Sequence, residues 1–222
     1  MTMRIVCLVI GYIFGLFQTS YILGRMHGID IRDYGSGNAG TTNMLRTMGT
    51  KAGLITFFGD VLKTIAAVIV CLAIFYRKEV NPEMLQIIKI YASAGTILGH
   101  NFPFYLGFRG GKGIACTAGW IITMDPCMVL IGLIVFFGIF FTTHYVSLGS
   151  VTLYITFLIE VIVMGALRLG YFRDITAAGA IECDIVTAIF CGMALYRHRA
   201  NIVRLIQHTE KKTYLSKKNR TA

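Results

Sequence analysis

The chain has 222 residues, of which 55% are hydrophobic and 14% charged, with three prolines. A soluble domain averages about 25% charged residues, so the composition excludes an aqueous globule, and 24 Gly and 15 Phe among long Ile/Leu/Val runs exclude disorder. A formal net charge of +10, from 21 Lys/Arg against 11 Asp/Glu, reads first as a topology signal in such a chain, and nucleic acid is not an expected partner.

Apolar runs fall at about residues 3–23, 54–76, 84–106, 114–124, 127–141, 146–169 and 183–196. Each full span needs roughly 20 apolar residues. The chain is therefore expected to be one all-α polytopic membrane bundle over residues 1–222, with about seven spans in a range of five to seven. The first run lacks a small-residue cleavage site and reads as a retained span. The fourth and fifth are separated only by Asp125-Pro126, so they form a tight hairpin or one bent element. All six cysteines lie in apolar stretches with no CxxC pair, which suggests packed core thiols.

Alternating seven spans with the first loop inside leaves Arg4, Arg77, Lys78, Arg168 and Arg173 outside and Lys63 and Lys89 within spans. The remaining basic residues, including the tail through Lys217, Lys218 and Arg220, fall inside. This bias predicts an external N-terminus and a cytoplasmic C-terminus, with a basic tail from about residue 197.

Three inside segments are too rich in Gly, Ser, Asn, His, Arg and Lys for ordinary membrane loops. The first runs from Asp33 to Arg46, with Gly35, Gly37 and Gly40 ahead of a helix expected to begin near Thr41 or Thr42. Such a loop aims backbone N–H groups at an anion, and Asn43, Arg46 and Thr50 would share one helical face. The plain alternative is a capped turn with Arg46 as a positive-inside anchor.

The second segment runs from Gly99 to Gly113. Gly113 follows Lys112 where a nucleotide-binding P-loop needs Ser or Thr for magnesium, so ATP hydrolysis is not expected. Arg109, Gly110, Gly111, Lys112 and Gly113 could still surround a phosphate at a helix N-terminus. His100 reads more readily as a satisfied helix-end histidine than as a base.

The third segment, Arg197 to Glu210, reads as a helix continuing the last span, with His198, Asn201 and Leu205 on one face. A stop-transfer helix explains its arginines but does not require His198 and Asn201.

Together these segments resemble the three signature motifs of the bacterial acyl-phosphate:glycerol-3-phosphate acyltransferase (PlsY) family. Gly35-Ser36-Gly37-Asn38 through Asn43 and Arg46 match the first motif. Gly99-His100, Phe102-Pro103 and Phe108 to Gly113 match the second, and His198-Arg199, Asn201-Ile202, Arg204-Leu205 and Glu210 match the third. With the spans, the likeness covers nearly the whole chain. Departures are Ala39 where the family often has Pro, Thr41 where Ala is usual, and His208 where a Gly commonly precedes Thr-Glu.

The resemblance implies transfer of a fatty acyl group from acyl phosphate to the 1-hydroxyl of glycerol 3-phosphate, in phospholipid biosynthesis at the bacterial cytoplasmic (inner) membrane. The products would be lysophosphatidic acid and inorganic phosphate, and the site would face the cytoplasm. It implies catalytic roles for Ser36, Arg46, Lys112, His198 and Asn201. Substrate phosphate would be bound by these together with Gly37, Asn38, Asn43, Arg109, Gly110, Gly111 and Gly113, while Glu210 would hold the fold. No cofactor, metal, acyl-CoA or acyl carrier protein is expected. Five residues beyond the histidines stand Arg32, Tyr105, Gly149, Val203 and Thr213, so the His-x4-Asp acyltransferase class is excluded. An acyl phosphate carries a good leaving group, so positioning and charge stabilisation suffice and no covalent nucleophile is demanded.

The alternative is an anion or phosphate transporter, suggested by ionisable Asp60, Lys63, Lys89 and Glu160 within apolar runs. Pairing of Asp60 with Lys63 and snorkelling of Lys89 would account for them more simply. Clustering of the polar motifs on one side favours an interfacial enzyme.

Overall fold

A computed structural model describes residues 1–75 and 81–214. Tyr76, Arg77, Lys78, Lys217, Lys218 and Arg220, used above, lie outside them. The described residues form α1 (Thr2–Gly15), α2 (Thr19–Met26), α3 (Thr41–Met48), α4 (Thr50–Phe75) and α5 (Pro82–Asn101). They continue with α6 (Ile114–Met124), α7 (Pro126–Thr143), α8 (Val146–Leu167), α9 (Ala177–Arg197) and α10 (Arg199–Ile206). The all-α expectation holds.

Among the described residues, five segments are long and apolar enough to cross a membrane: Thr2–Met26, Thr50–Phe75, Pro126–Thr143, Val146–Leu167 and Ala177–Arg197. These bundle helices turn apolar faces outward, as Ile181, Ile185 and Ile189 do on α9, a pattern suited to lipid and not to water. Inside, Trp120 of α6 packs edge-to-face on Phe157 of α8 and Phe190 of α9.

The position of α5 is set by glycines. A Cβ on Gly11 of α1 would lie 2.1 Å from the Ala92 carbonyl oxygen, and one on Gly95 of α5 would lie 2.1 Å from that of Leu8. Gly15 and Gly99 repeat the arrangement one turn on. Two small-xxx-small faces thus bring the helix backbones into direct contact, which carries Gly99 and His100 to the site.

Several sequence expectations change. The first run breaks after Gly15, where Gln18 turns its amide onto the carbonyls of Gly15 and His100. α3 begins at Thr41 but stops at Gly49, so Thr50 opens the next helix instead of sharing a face with Asn43 and Arg46. Asp125 caps α7 by accepting from Cys127 N, and Pro126 takes its first turn, so α6 and α7 are two helices. The final helix does not run on: it breaks at His198, and α10 is separate. Cys127 is exposed, whereas the other five cysteines are buried.

Candidate active site

The three polar segments converge on a cavity of about 720 Å³. Ser36, Gly37, Asn38, Asn43 and Arg46 reach it from the first segment, Arg109, Gly110, Lys112 and Gly113 from the second, and His198, Asn201 and Glu210 from the third. Gly111 alone of the expected residues stands behind the wall.

In the first loop, Gly35 and Gly37 adopt left-handed conformations with φ of 62° and 69°. A Cβ on Gly35 would meet Asn43 Oδ1 at 2.3 Å. Asn43, expected to bind phosphate, instead spends its amide on the loop. Its Oδ1 accepts from Ser36 N at 2.9 Å, and its Nδ2 donates to the Ile31 and Tyr34 carbonyls at 3.0 and 2.9 Å. That clamp leaves Ser36 exposed at the cavity mouth. Arg46 reaches the C-terminal segment, donating to the Lys211 carbonyl at 2.9 Å and Thr213 Oγ1 at 2.6 Å.

The glycine segment corrects a second expectation. Gly110 N donates to the Asn101 carbonyl at 3.2 Å and Gly111 N to that of His100 at 3.1 Å, so these amides are committed to the end of α5. Arg197 locks the same turn from outside the expected set, donating to the carbonyls of Gly110 and Gly111 at 3.2 and 2.5 Å. The amides that remain for an anion are those of Lys112, Gly113 and the first turn of α6, whose Ile114 and Ala115 line the cavity.

Lys112 donates to Asn201 Oδ1, and Asn201 Nδ2 donates to Glu210 Oε1 at 2.7 Å. Glu210 also accepts from Arg204 Nε at 2.6 Å and from Ser147 Oγ at 3.0 Å. Burial pushes the Glu210 carboxyl up, but these hydrogen bonds outweigh it and hold it below the usual range. Burial, reinforced by Arg204, Arg197 and Arg46, pushes the Lys112 ammonium down to about 8 against the pull of Glu210. His198 Nδ1 donates to the Ala194 carbonyl at 2.9 Å, which leaves Nε2 as the lone-pair nitrogen. Burial and then Lys112 push His198 down to about 4, so it is neutral at pH 7.

Sequence reasoning missed Ser147, Ser150, Arg197 and Tyr154. Tyr154 Oη donates to the Lys112 carbonyl at 3.2 Å. Ser147, Ser150 and Tyr154 recur at helical spacing on α8, a polar stripe visible inside an apolar run.

Among the described residues, one group brings three metal-compatible donors together: Asp60, His100 and Cys116, within 4.8 Å of one another. The Lys63 ammonium already lies 2.8 Å from Asp60 Oδ1 and 2.9 Å from His100 Nδ1, supplying the cation that this carboxylate needs.

The family model described as glycerol-3-phosphate acyltransferase matches residues 5–208. A glycerol-3-phosphate acyltransferase from Clostridioides difficile is 40% identical over 209 residues, 94% of each chain. One from Thermoanaerobacter pseudethanolicus is 38% identical over 205 residues, 92% of each. Among solved structures, the chain is similar to PlsY, described as an integral membrane glycerol 3-phosphate acyltransferase, in its glycerol 3-phosphate form. That likeness has a TM-score of 0.78 at 27% identity, over 95% of this chain and 96% of the other. The lysophosphatidic acid form gives a TM-score of 0.77 at 27% identity, over 96% of each chain.

Proposed function

The chain belongs to the glycerol-3-phosphate acyltransferase family, and on that basis we propose that its acyl donor is an acyl phosphate. It is an integral membrane acyltransferase of glycerol 3-phosphate in phospholipid synthesis. In the proposed reaction the 1-hydroxyl oxygen attacks the acyl carbon, forming the new C–O ester bond. The bond from that carbon to the phosphate oxygen breaks. The hydroxyl proton passes to a phosphate oxygen of the donor, so lysophosphatidic acid and inorganic phosphate leave together. Neither acyl-CoA nor acyl carrier protein serves as donor.

The observation that carries this reading is the meeting of Lys112, Arg46, Arg109 and Ser36 with the start of α6 around one cavity. Both substrates carry phosphate, and cations with unpaired amides at a helix start suit it. Lys112 acts as a point charge on phosphate, and Asn201 holds it. His198, neutral with Nε2 available, accepts a hydrogen bond. Asn43 and Glu210 act through the loops they clamp. In this account residues 1–222 form one domain in the bacterial cytoplasmic membrane. α5 and the 11-residue α6 add to the five apolar segments to make seven, with the N-terminus outside and the site and basic tail from about 197 in the cytoplasm.

The transporter alternative loses most of its support: Lys63 pairs with Asp60 and Lys89 lies 5.0 Å over the Tyr171 ring, which leaves Glu160, whose carboxylate oxygens have no hydrogen-bond partner among the described residues, as its one unpaired group. Phosphate release from acyl phosphate by the purified protein should require glycerol 3-phosphate and persist in a chelator. Complete loss in chelator, restored by magnesium, would contradict the positioning mechanism.

A further inference from the structure

Asp60 and Lys63 sit one turn apart on α4, and Lys63 is 6% exposed. An ammonium has three protons to donate. The three nearest acceptors are Asp60 Oδ1 at 2.8 Å, the Phe17 carbonyl at 2.8 Å and His100 Nδ1 at 2.9 Å, with the Gly15 carbonyl farther off at 3.5 Å. Thr19 Oγ1 donates to the same Asp60 oxygen at 3.1 Å. Nδ1 lies 3.7 Å from that carboxylate, too far for the ring to give it a proton. A nitrogen that accepts from an ammonium carries no proton of its own, so the neutral ring keeps its proton on Nε2.

Nε2 faces the glycine segment. A Cβ on Gly111 would stand 2.0 Å from it, so a side chain at 111 would collide with the ring. His100 is 3% exposed and lines the cavity. Its Nε2 has no hydrogen-bond partner among the described residues, yet it is not one of the polar atoms sealed away from solvent.

We propose that Lys63 holds His100 as the Nε2–H tautomer and that this N–H donates to a phosphate oxygen in the cavity, a role that rests on the acyltransferase reading. Lys63 is then a positioning residue and His100 a catalytic one. The same geometry removes His100 as a general base, because its lone pair is taken by the Lys63 ammonium. His198 is the complement: its Nδ1 carries the proton and its Nε2 the lone pair. The two histidines thus present a donor and an acceptor to one chamber.

The test is ¹⁵N-histidine NMR of the full chain in nanodiscs, with His100→Gln assigning the His100 signals and inorganic phosphate as the probe. The wild type should show the Nε2–H pattern at neutral pH, and phosphate should move Nε2 while leaving Nδ1 nearly still. Lys63→Met should mix the tautomers. In kinetics, His100→Leu should lose about 10- to 100-fold in kcat/KM for glycerol 3-phosphate, with His100→Gln recovering part of it. An Nδ1–H pattern in the wild type, or a phosphate titration that leaves His100 unmoved, overturns the proposal even where acyl transfer proceeds. A wild type with the expected spectrum and phosphate response but no acyl transfer would strike the functional reading and leave the tautomer standing.

Discussion

Lys112 and Asn201, 89 residues apart, are joined by a hydrogen bond from the lysine ammonium to the amide oxygen. Asn201 is in turn fixed by Glu210. The glycine segment and the C-terminal helix therefore share one chain of contacts, and the charge expected to meet phosphate is held from the far end of the sequence. A flexible lysine would lose rotamer freedom on binding; this one is already restrained.

Removing that charge has a defined expectation. Lys112→Ala should lose about 1.5–3 kcal/mol of transition-state stabilisation, roughly a 10- to 150-fold fall in kcat/KM, part of it as a raised KM for glycerol 3-phosphate. Lys112→Arg should recover only part, because a planar fork does not replace a compact ammonium held by Asn201. Near-wild-type kinetics in correctly inserted Lys112→Ala would take the glycine segment out of the site.

The lowered Lys112 value sets an alkaline limb. Below about 8 the side chain is charged, and as pH rises through that value the free enzyme loses the cation that attracts phosphate. The kcat/KM profile should therefore fall above about pH 8. Glu210 favours the charged form, so Glu210→Gln should move the limb to lower pH. A profile flat to pH 10, or a limb that moves upward in Glu210→Gln, would contradict the assignment.

Much of this organisation is legible in the sequence, because apolar runs and dense polar segments obey composition. The long helices and the convergence of three segments on one cavity follow those signals. What escapes is set by contacts between distant residues. Nothing in the first run marks the break at Gln18, whose amide is satisfied by carbonyls of α5. Gly110 and Gly111 look like anion-binding amides until Asn101 and His100 are seen to accept from them. Asn43 looks like a ligand until its amide is found clamping Ser36, Ile31 and Tyr34. Small residues at 11, 15, 95 and 99 were present to be read, but only a partner helix gives them meaning.

That crossing is itself testable. Gly95→Val places branched carbon against the Leu8 carbonyl oxygen, where even a Cβ would lie 2.1 Å away. Backbone cannot move aside cheaply, so the substitution should cost about 1–3 kcal/mol or more. The thermal unfolding midpoint in detergent should drop, whereas Gly138→Val, with no neighbour within 4 Å, should leave it nearly unchanged. Equal behaviour of the two variants would refute the close-packed crossing.

The proposed orientation can be read by single-cysteine labelling in intact cells. Arg109 and Thr209 should be shielded from an impermeant reagent and Arg173 should be accessible to it. Gly111 is unsuited as a reporter, since a side chain there collides with His100. External labelling at position 109 would overturn the cytoplasmic site.

The most direct measurement is a donor competition on the purified protein, offering acyl phosphate, acyl-CoA and acyl carrier protein with glycerol 3-phosphate and following lysophosphatidic acid and inorganic phosphate together. The account predicts product from acyl phosphate alone, with one phosphate released for each lysophosphatidic acid formed. Activity confined to acyl-CoA or acyl carrier protein would contradict it.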